Sequence, residues 1–190
     1  CQSIVKKAIV KSMTESYGIE QFSESGPVYK IEVSILKDVV RLTIDTTGPG
    51  LHKRGYRELA GIAPLKETLA ASMLLISRWN DEFELIDPFC GSGTILVEAA
   101  MIALNIAPGV NRNFVCETWP SMDKDMFESV RDGARNSEKH KDLKIIGYDI
   151  DYKTLKVAME NAKKAGVDKY IQFQKRDFME FSTSRDRKST

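Results

Sequence analysis

Two glycines, a cysteine and an aspartate stand where an apolar strand meets an apolar helix, in the stretch DPFCGSGT at residues 87–94. A Gly-x-Gly turn in this position lets the backbone approach a ligand closely and directs free N–H groups towards it. Gly93 is followed by Thr94 and not by lysine, which excludes the phosphate-binding loop of nucleoside triphosphatases. Leu96 stands where a dinucleotide-binding fingerprint requires its third glycine, which excludes that motif too.

The motif that remains is Asp-x-Phe-x-Gly-x-Gly-Thr, the form seen where the ligand is S-adenosylmethionine. Its members are Asp87, Phe89, Gly91, Gly93 and Thr94.

This cofactor makes two further demands on the chain. An acidic residue at the end of the next strand must accept both ribose hydroxyls, and Asp149 in IIGYDID stands there. A polar side chain after the third strand must contact the adenine amino group, and Asp177 in KRDF stands there. A carboxylate after each of three consecutive strands lies at the edge where open α/β sheets bind ligands, and so predicts an S-adenosylmethionine site.

Each of these residues also has an ordinary structural interpretation. Asp149 or Asp151 could cap the helix that follows. Asp177 is explained equally well as a structural residue that contacts no ligand. Cys90 is better explained as a small turn residue than as a nucleophile, because no histidine lies near it in sequence to activate it. The three cysteines show no metal-ligand spacing, so we predict no metal site and reduced thiols in a cytoplasm.

Strands and helices alternate from residue 83 onward, which is the pattern of a parallel, doubly wound α/β sheet. A helix is predicted from Pro64 to about Trp79, with Leu65, Leu69, Met73 and Ile76 on its apolar face. The predicted strands are 83–87, 144–151 and 171–178, and the predicted helices begin at Thr94 and after Asp151, the second ending at Gly166. Residues 106–143 are interpreted as an insertion with one amphipathic helix, which explains the long interval between Gly93 and Asp149.

The residues before this sheet predict only a small structure. Residues 2–17 have one apolar helical face, and two alternating strands follow with a tight hairpin turn at Lys37-Asp38. A helix and one hairpin are too little for a domain, so we expect the chain to begin partway through a small α+β module. The glycine- and proline-containing segment 46–64 marks the boundary between the two parts.

Composition limits the possible partners. The 190 residues are 42% hydrophobic and 29% charged, as in globular proteins, and no apolar run is long enough to span a membrane. The net charge of +1 gives no general argument for nucleic acid, so that argument depends on local clusters. HKRGYR, residues 52–57, combines three full cations with an aromatic ring and suits phosphate contact and base stacking, although a solvated linker explains it equally well.

Three segments together resemble a known family: DTTGPGLHKRGYRELAGIAPLKETLAASML, DPFCGSGTILVEAAMIALNIAPG and GYDID. They are similar to bacterial RNA methylases related to the large-subunit ribosomal RNA guanine-N2 methyltransferases, which carry an N-terminal RNA-binding THUMP domain. The resemblance implies a partial Rossmann-like class I methyltransferase sheet at residues 64–190, a linker at 48–63 and the C-terminal part of a THUMP domain at 1–47. It implies a cytoplasmic, S-adenosylmethionine-dependent methyltransferase whose partner is RNA. Ribosomal RNA is the first candidate.

The same resemblance implies roles for the candidate residues. Asp87, Gly91 and Gly93 would line the methionine half of the cofactor, Asp149 would hold the ribose, and Asp177 would hold the adenine. The segment that contains Pro64 and Lys66 resembles a helix that closes over the cofactor. The implied RNA-binding residues are His52, Lys53, Arg54, Tyr56 and Arg57.

One family feature is missing from the sequence. Family members carry an Asn/Asp-Pro-Pro-Tyr/Phe motif after the fourth strand, which holds the target base and accepts hydrogens from its amine. No two of the six prolines here are adjacent. We therefore expect a fragment that is inactive alone, with its catalytic residues beyond Thr190. A non-catalytic RNA-binding module and a DNA amino-methyltransferase stay open as alternatives, and the THUMP-like start argues against the second.

Overall fold

The computed structural model describes residues 2–23, 25–57 and 65–180; Pro64 and the other predicted features at 58–64 lie outside them. In chain order the helices and strands are α1 (Gln2–Tyr17), β1 (Lys30–Leu36), β2 (Val39–Asp45), α2 (Glu67–Ser77), β3 (Leu85–Asp87), α3 (Thr94–Ala103), α4 (Lys124–Asn136), β4 (Ile145–Asp149), α5 (Tyr152–Lys164) and β5 (Ile171–Lys175).

Strands β1 and β2 form the predicted hairpin. They pair antiparallel from Lys30 opposite Asp45 to Leu36 opposite Val39. The two turn residues, Lys37 and Asp38, both have positive φ angles, as a tight two-residue turn of this twist requires.

The other three strands form a parallel sheet in the order β3-β4-β5. Ile145 in β4 lies opposite Leu85 on one side and Ile171 on the other. The three strands end at Asp87, Asp149 and Lys175, so their carboxyl ends meet at one edge of the sheet. The predicted alternation of parallel strands and helices is confirmed, although β3 begins two residues later than expected.

Helix α3 is the centre of the core. Nearly all its residues are buried, as its almost entirely apolar sequence predicts. It packs closely against β4 at Gly147, where an added Cβ would lie 2.5 Å from Leu96 Cδ1 and 3.1 Å from Cys90 Sγ. A glycine in this strand therefore allows the loop before α3 and the helix itself to approach the sheet.

The orientation of α2 differs from the prediction. Its buried residues are Glu67, Ala70 and Leu74, whereas three of the four residues of the predicted apolar face are exposed, with Ile76 81% accessible. The small side chain of Ala70 is fully buried beside Leu74, whereas Leu69, Met73 and Ile76 are exposed. The apolar period predicted a helix here, but not which side of it faces the core.

The predicted insertion holds the segment that joins the two parts of the chain. The Arg112 guanidinium donates hydrogen bonds to four backbone carbonyls of that segment, those of Thr47, Pro49, Gly50 and Lys53. Trp119 reaches the hairpin side, where its Nε1 donates to the Val28 carbonyl at 2.9 Å and its ring stacks on Tyr29 at 4.6 Å. Residues 106–143 therefore anchor the linker and the hairpin to the sheet.

In the described part of the chain, no helix is both long and apolar enough to cross a lipid bilayer.

Candidate cofactor site

The loop that joins β3 to α3 is fixed to the end of β4. Cys90 N donates to the Tyr148 carbonyl at 2.9 Å, and Gly93 N donates to the Cys90 carbonyl at 2.8 Å. Gly91 and Gly93 have φ angles of 53° and 76°, in the left-handed region that favours glycine. The residue types in DPFCGSGT are thus required by a tight turn between a strand and a helix.

The two glycines are required for different reasons. An added Cβ at Gly93 would lie 3.1 Å from Ala158 Cβ and 3.4 Å from the Phe173 ring, so this glycine also allows α5 and β5 to pack behind the loop. An added Cβ at Gly91 would meet no atom within 4 Å. Gly91 therefore presents open space on the side of the loop away from the core, as a residue that approaches a ligand should.

Asp149, at the end of β4, is bonded directly to this loop. Its Oδ2 accepts from Gly91 N at 3.0 Å, and its Oδ1 accepts from Asp151 N at 2.9 Å. An ionised carboxylate has further lone pairs on both oxygens, so it can still accept hydrogen bonds from two ligand hydroxyls.

The helix cap is the neighbouring aspartate. Asp151 accepts from Lys153 N at 3.0 Å and from Thr154 Oγ1 at 2.9 Å, and it is the N-cap of α5. The capping alternative is confirmed for Asp151. The Asp149 carboxylate, which makes no such cap, remains directed at the loop.

Asp87 brings a second carboxylate to the same place. It is half-buried, and its Oδ1 accepts from Phe89 N at 3.0 Å. Burial raises the pKa of Asp87, and the nearby charge of Asp149 raises it further. The carboxyl edge of the sheet therefore holds two neighbouring acidic groups, which favours a ligand with positive charge or with hydroxyl and amine donors.

Burial also raises the pKa of the Cys90 thiol to about 12, and the charges of Asp87 and Asp149 add to this effect. A thiol that stays protonated at neutral pH is a poor nucleophile. The prediction that Cys90 is a turn residue agrees with this environment.

Two aromatic rings join the ends of β3 and β5. The Phe89 ring, 67% exposed, lies 4.8 Å from the Phe178 ring between centroids. Asp177, half-buried beside them, accepts from Met179 N at 2.9 Å. The loop after β3 and the turn after β5 thus meet at the carboxyl edge of the sheet.

The loop between β3 and α3, the first residues of α3, helix α5 and Leu65 surround a pocket of about 430 Å³, which we call the loop pocket. This volume suits a nucleoside-sized ligand. Four predicted residues line it, together with side chains that sequence reasoning did not select: Asp87, Phe89, Gly91 and Thr94, with Leu65, Cys90, Ser92, Ile95, Thr154 and Val157.

Four other predicted residues in the described part of the chain do not line the loop pocket. Gly93 lies behind the loop, as described above. Asp149 contacts the lining only where Gly91 N donates to its carboxylate, and Asp177 lies in the turn after β5. Lys66 is exposed at the start of α2 and does not line the loop pocket, although the adjacent Leu65 does.

Three side chains of the predicted RNA-binding segment form hydrogen bonds and ion pairs within the protein. Arg54 donates to both carboxylate oxygens of Glu98 at 3.1 Å, and Tyr56 OH donates to the same carboxylate at 2.9 Å. Tyr56 is only 3% exposed and the Arg54 side chain 11%, and both side chains are paired with Glu98. This geometry favours a structural role for Arg54 and Tyr56, and their contact with RNA stays a prediction.

Arg57 is also enclosed. Its Nη1 donates to the Leu65 carbonyl at 2.7 Å and to Thr94 Oγ1 at 3.1 Å, and its Nη2 lies 3.0 Å from Glu67 Oε2. The side chain is 8% exposed, which leaves no free face for a phosphate. Of the five predicted residues, the exposed Lys53 and the half-buried His52 are the ones whose exposure agrees with an RNA contact.

Sequence reasoning missed the acidic partners of this segment. Glu98 is 2% exposed, and burial raises its pKa, which the hydrogen bonds from Arg54 and Tyr56 partly offset. The available signal was a single glutamate in the otherwise apolar helix TILVEAAMIA, which requires a buried partner. Asn161, likewise buried, donates from Nδ2 to the Ser92 carbonyl at 3.0 Å and supports the loop from behind.

Within residues 2–23, 25–57 and 65–180, no group of three or more His, Cys, Asp and Glu side chains could hold a metal ion.

Comparison with known proteins identifies the family. Residues 54–189, well over half of the chain, match the RMKL-like methyltransferase domain. The chain belongs to this methyltransferase family.

Two curated relatives show how far the likeness extends. The Bacillus subtilis protein YpsC, named provisionally as an RNA methyltransferase, is 44% identical over 97% of this chain and 49% of its own length. The ribosomal RNA large subunit methyltransferase K/L of Vibrio parahaemolyticus is 44% identical over 82% of this chain and 23% of its own length. The chain therefore spans about half the length of the first relative and a quarter of the second.

Two solved structures share the fold. One is from Listeria monocytogenes and is described as a predicted N6-adenine-specific DNA methylase; it is 48% identical, with a TM-score of 0.91, over 97% of this chain and 49% of its own. The other, SMU.472, is a candidate methyltransferase in complex with SAH; it is 42% identical, with a TM-score of 0.87, over 96% of this chain and 49% of its own. The family and this complex confirm the predicted cofactor, S-adenosylmethionine, and the Rossmann-like sheet.

Proposed function

We propose that the loop pocket binds S-adenosylmethionine and that the protein methylates an exocyclic base amine of RNA in the cytoplasm, with guanine N2 of large-subunit ribosomal RNA as the first candidate. The observation that carries this proposal is the Asp149 carboxylate bonded to Gly91 N at the carboxyl edge of the sheet, in a chain of this family. The RNA part is supported by the names of the relatives, one of which acts on ribosomal RNA.

The chain's own groups fit the parts of this cofactor. Asp149 keeps acceptor positions for the two ribose hydroxyls, because the loop occupies only part of its hydrogen-bonding capacity. Asp87 can accept from the ammonium of the methionine part, and the open side of Gly91 admits a close approach. Asp177, with the Phe89 and Phe178 rings beside it, is the proposed adenine end. When bound, S-adenosylmethionine supplies a methyl group on a positively charged sulfur, which is a good leaving group.

The acidic groups contribute to binding before any reaction. Burial raises the pKa of Asp87, and repulsion from the nearby Asp149 carboxylate raises it further. A ligand with net positive charge relieves this repulsion, whereas the demethylated product is neutral at sulfur. This pair of carboxylates therefore favours the methyl donor over its product.

Other parts of the protein are proposed to bind the RNA. We propose residues 1–47 as part of a THUMP-like RNA-binding module and 48–63 as its linker, with Lys53 and His52 near the RNA. The residues that hold the target base are proposed to lie outside this sequence, which has no Asn/Asp-Pro-Pro-Tyr/Phe motif.

The test is a methyl-transfer assay with the full-length protein and radiolabelled S-adenosylmethionine. Large-subunit ribosomal RNA lacking the modification and DNA of matched length serve as competing acceptors, and digested products are separated into nucleosides. We expect label in RNA, in N2-methylguanosine. Label in DNA N6-methyladenine, the activity in the name of the Listeria relative, would overturn the proposal that RNA is the substrate. RNA binding without methyl transfer would overturn the proposal that the protein is an enzyme.

A further inference from the structure

The guanidinium of Arg57 joins two walls of the loop pocket. One Nη1 atom donates both to the Leu65 carbonyl and to Thr94 Oγ1. Leu65 precedes α2 and Thr94 begins α3, and both residues line the loop pocket. A single buried side chain therefore sets the distance between two parts of the chain that face the ligand.

Glu67 places a negative charge beside this guanidinium. Its Oε2 lies 3.0 Å from Arg57 Nη2, and both side chains are almost fully enclosed, at 8% and 4% exposure. No hydrogen bond of good geometry reaches this oxygen among the described residues, so the contact is an ion pair and not a directed bond. A rigid planar fork with several donors can bond to a carbonyl and a hydroxyl while its charge faces a carboxylate, which a lysine ammonium on a flexible stem does less well.

Arg54 provides a natural comparison within the same segment. It is three residues away and forms a buried ion pair with Glu98, one helical turn beyond Thr94 on α3. Neither Arg54 nor Glu98 lines the loop pocket. The two arginines have similar burial and the same kind of partner, and they differ in whether those partners face the ligand.

We propose that Arg57 is a positioning residue for the cofactor: it holds Leu65 and Thr94 at the separation that receives S-adenosylmethionine, and it thereby couples the linker to the loop pocket. Arg54, Tyr56 and Glu98 anchor the same linker to the core without touching the ligand. A displacement of the linker moves Arg57, and so changes the affinity for the cofactor. This inference depends on the proposal that the cofactor occupies the loop pocket.

The experiment uses the full-length protein and compares Arg57→Met with Arg54→Met. Each variant loses one buried arginine, so both are expected to lower the thermal unfolding temperature. Cofactor binding is then measured by calorimetry with S-adenosylmethionine at a temperature where both variants are folded. We expect the Kd of Arg57→Met to rise at least about tenfold and the Kd of Arg54→Met to stay within about twofold of the wild type. Equal effects of the two variants on Kd would overturn the inference.

Two milder variants keep the inference testable if Arg57→Met does not fold. Thr94→Val removes only the hydroxyl acceptor, and Arg57→Lys keeps the charge beside Glu67; each should raise Kd, and the double variant should raise it by less than the product of the two. Wild-type affinity in both single variants would refute the positioning role. Asp149→Asn, measured in the same series, separates the two claims, because unchanged binding there contradicts the pocket assignment itself.

Discussion

Gly91→Ala should weaken cofactor binding more than it lowers stability, and Gly93→Ala should lower stability more than it weakens cofactor binding. Both residues have left-handed φ angles, and an L-residue pays about 1–2 kcal/mol for that conformation. At Gly91 nothing lies within 4 Å of the added Cβ, so the free energy of unfolding should fall by about 1–2 kcal/mol and no more.

The cost at Gly93 is larger because the added Cβ meets the core. Its contacts at 3.1 Å to Ala158 Cβ and 3.4 Å to the Phe173 ring are tight, and overpacking of this kind costs about 1–3 kcal/mol. Added to the backbone cost, the loss of stability should be about 2–5 kcal/mol. For a protein of this size, each kcal/mol lowers Tm by about 2–4 °C.

The assays are thermal unfolding without ligand and calorimetry with S-adenosylmethionine. Gly91→Ala should lower Tm slightly but weaken binding at least about tenfold, because its methyl group occupies ligand space. Gly93→Ala should lower Tm more than Gly91→Ala does, and its affinity should fall less wherever the protein is folded. Unchanged affinity in Gly91→Ala, or a larger Tm loss there than in Gly93→Ala, would refute the reasoning.

Three further substitutions test the electrostatics and the packing around the loop. Between the ordinary and the raised pKa of Asp87, the folded protein keeps a proton that the unfolded chain has lost, so stability should fall as pH rises through this window. Asp87→Asn should remove this loss of stability and raise the ligand-free Tm at pH 7, which thermal unfolding from pH 4 to 8 would measure. It should also weaken cofactor binding, which calorimetry would measure. Glu98→Ala leaves the enclosed Arg54 without its partner and should cost about 3–5 kcal/mol in urea unfolding, whereas a cost below 1 kcal/mol would contradict a buried pair. Gly147→Ala should cost about 1–3 kcal/mol by the same measurement, because its Cβ would overlap Leu96, and an unchanged urea midpoint would contradict that packing.

Features that depend on neighbouring residues could be predicted from the sequence. The turn at Lys37-Asp38 and the end of α5 two residues before Gly166 follow from local backbone preferences, and the cap at Asp151 follows from a local side-chain bond. The site at the edge of the sheet could also be predicted, because strand ends in a parallel sheet are forced to meet there. The charge of Asp149 adds to the effect of burial on the pKa of Asp87, although 62 positions separate the two residues.

Features that depend on partners distant in sequence could not be predicted. HKRGYR has the composition of a nucleic-acid contact, and only the packing of the linker against α3 shows that Arg54 and Tyr56 share Glu98, more than 40 residues away. The outward face of α2 was missed for a related reason. Its apolar period predicts a helix, but the side that faces the core carries Glu67, whose ion-pair partner Arg57 lies ten residues earlier in the linker.

The central claim is that Asp149 holds the cofactor in the loop pocket, and calorimetry of S-adenosylmethionine binding to Asp149→Asn tests it most directly. Asp151→Asn is the matched control, because it changes an aspartate two residues away that caps α5. The amide keeps one acceptor oxygen but loses the charge, and hydrogen bonds to a charged group contribute about 1.5–3 kcal/mol. We therefore predict a Kd about 10- to 150-fold higher for Asp149→Asn and within about twofold of the wild type for Asp151→Asn. Wild-type affinity in a folded Asp149→Asn protein would contradict the account.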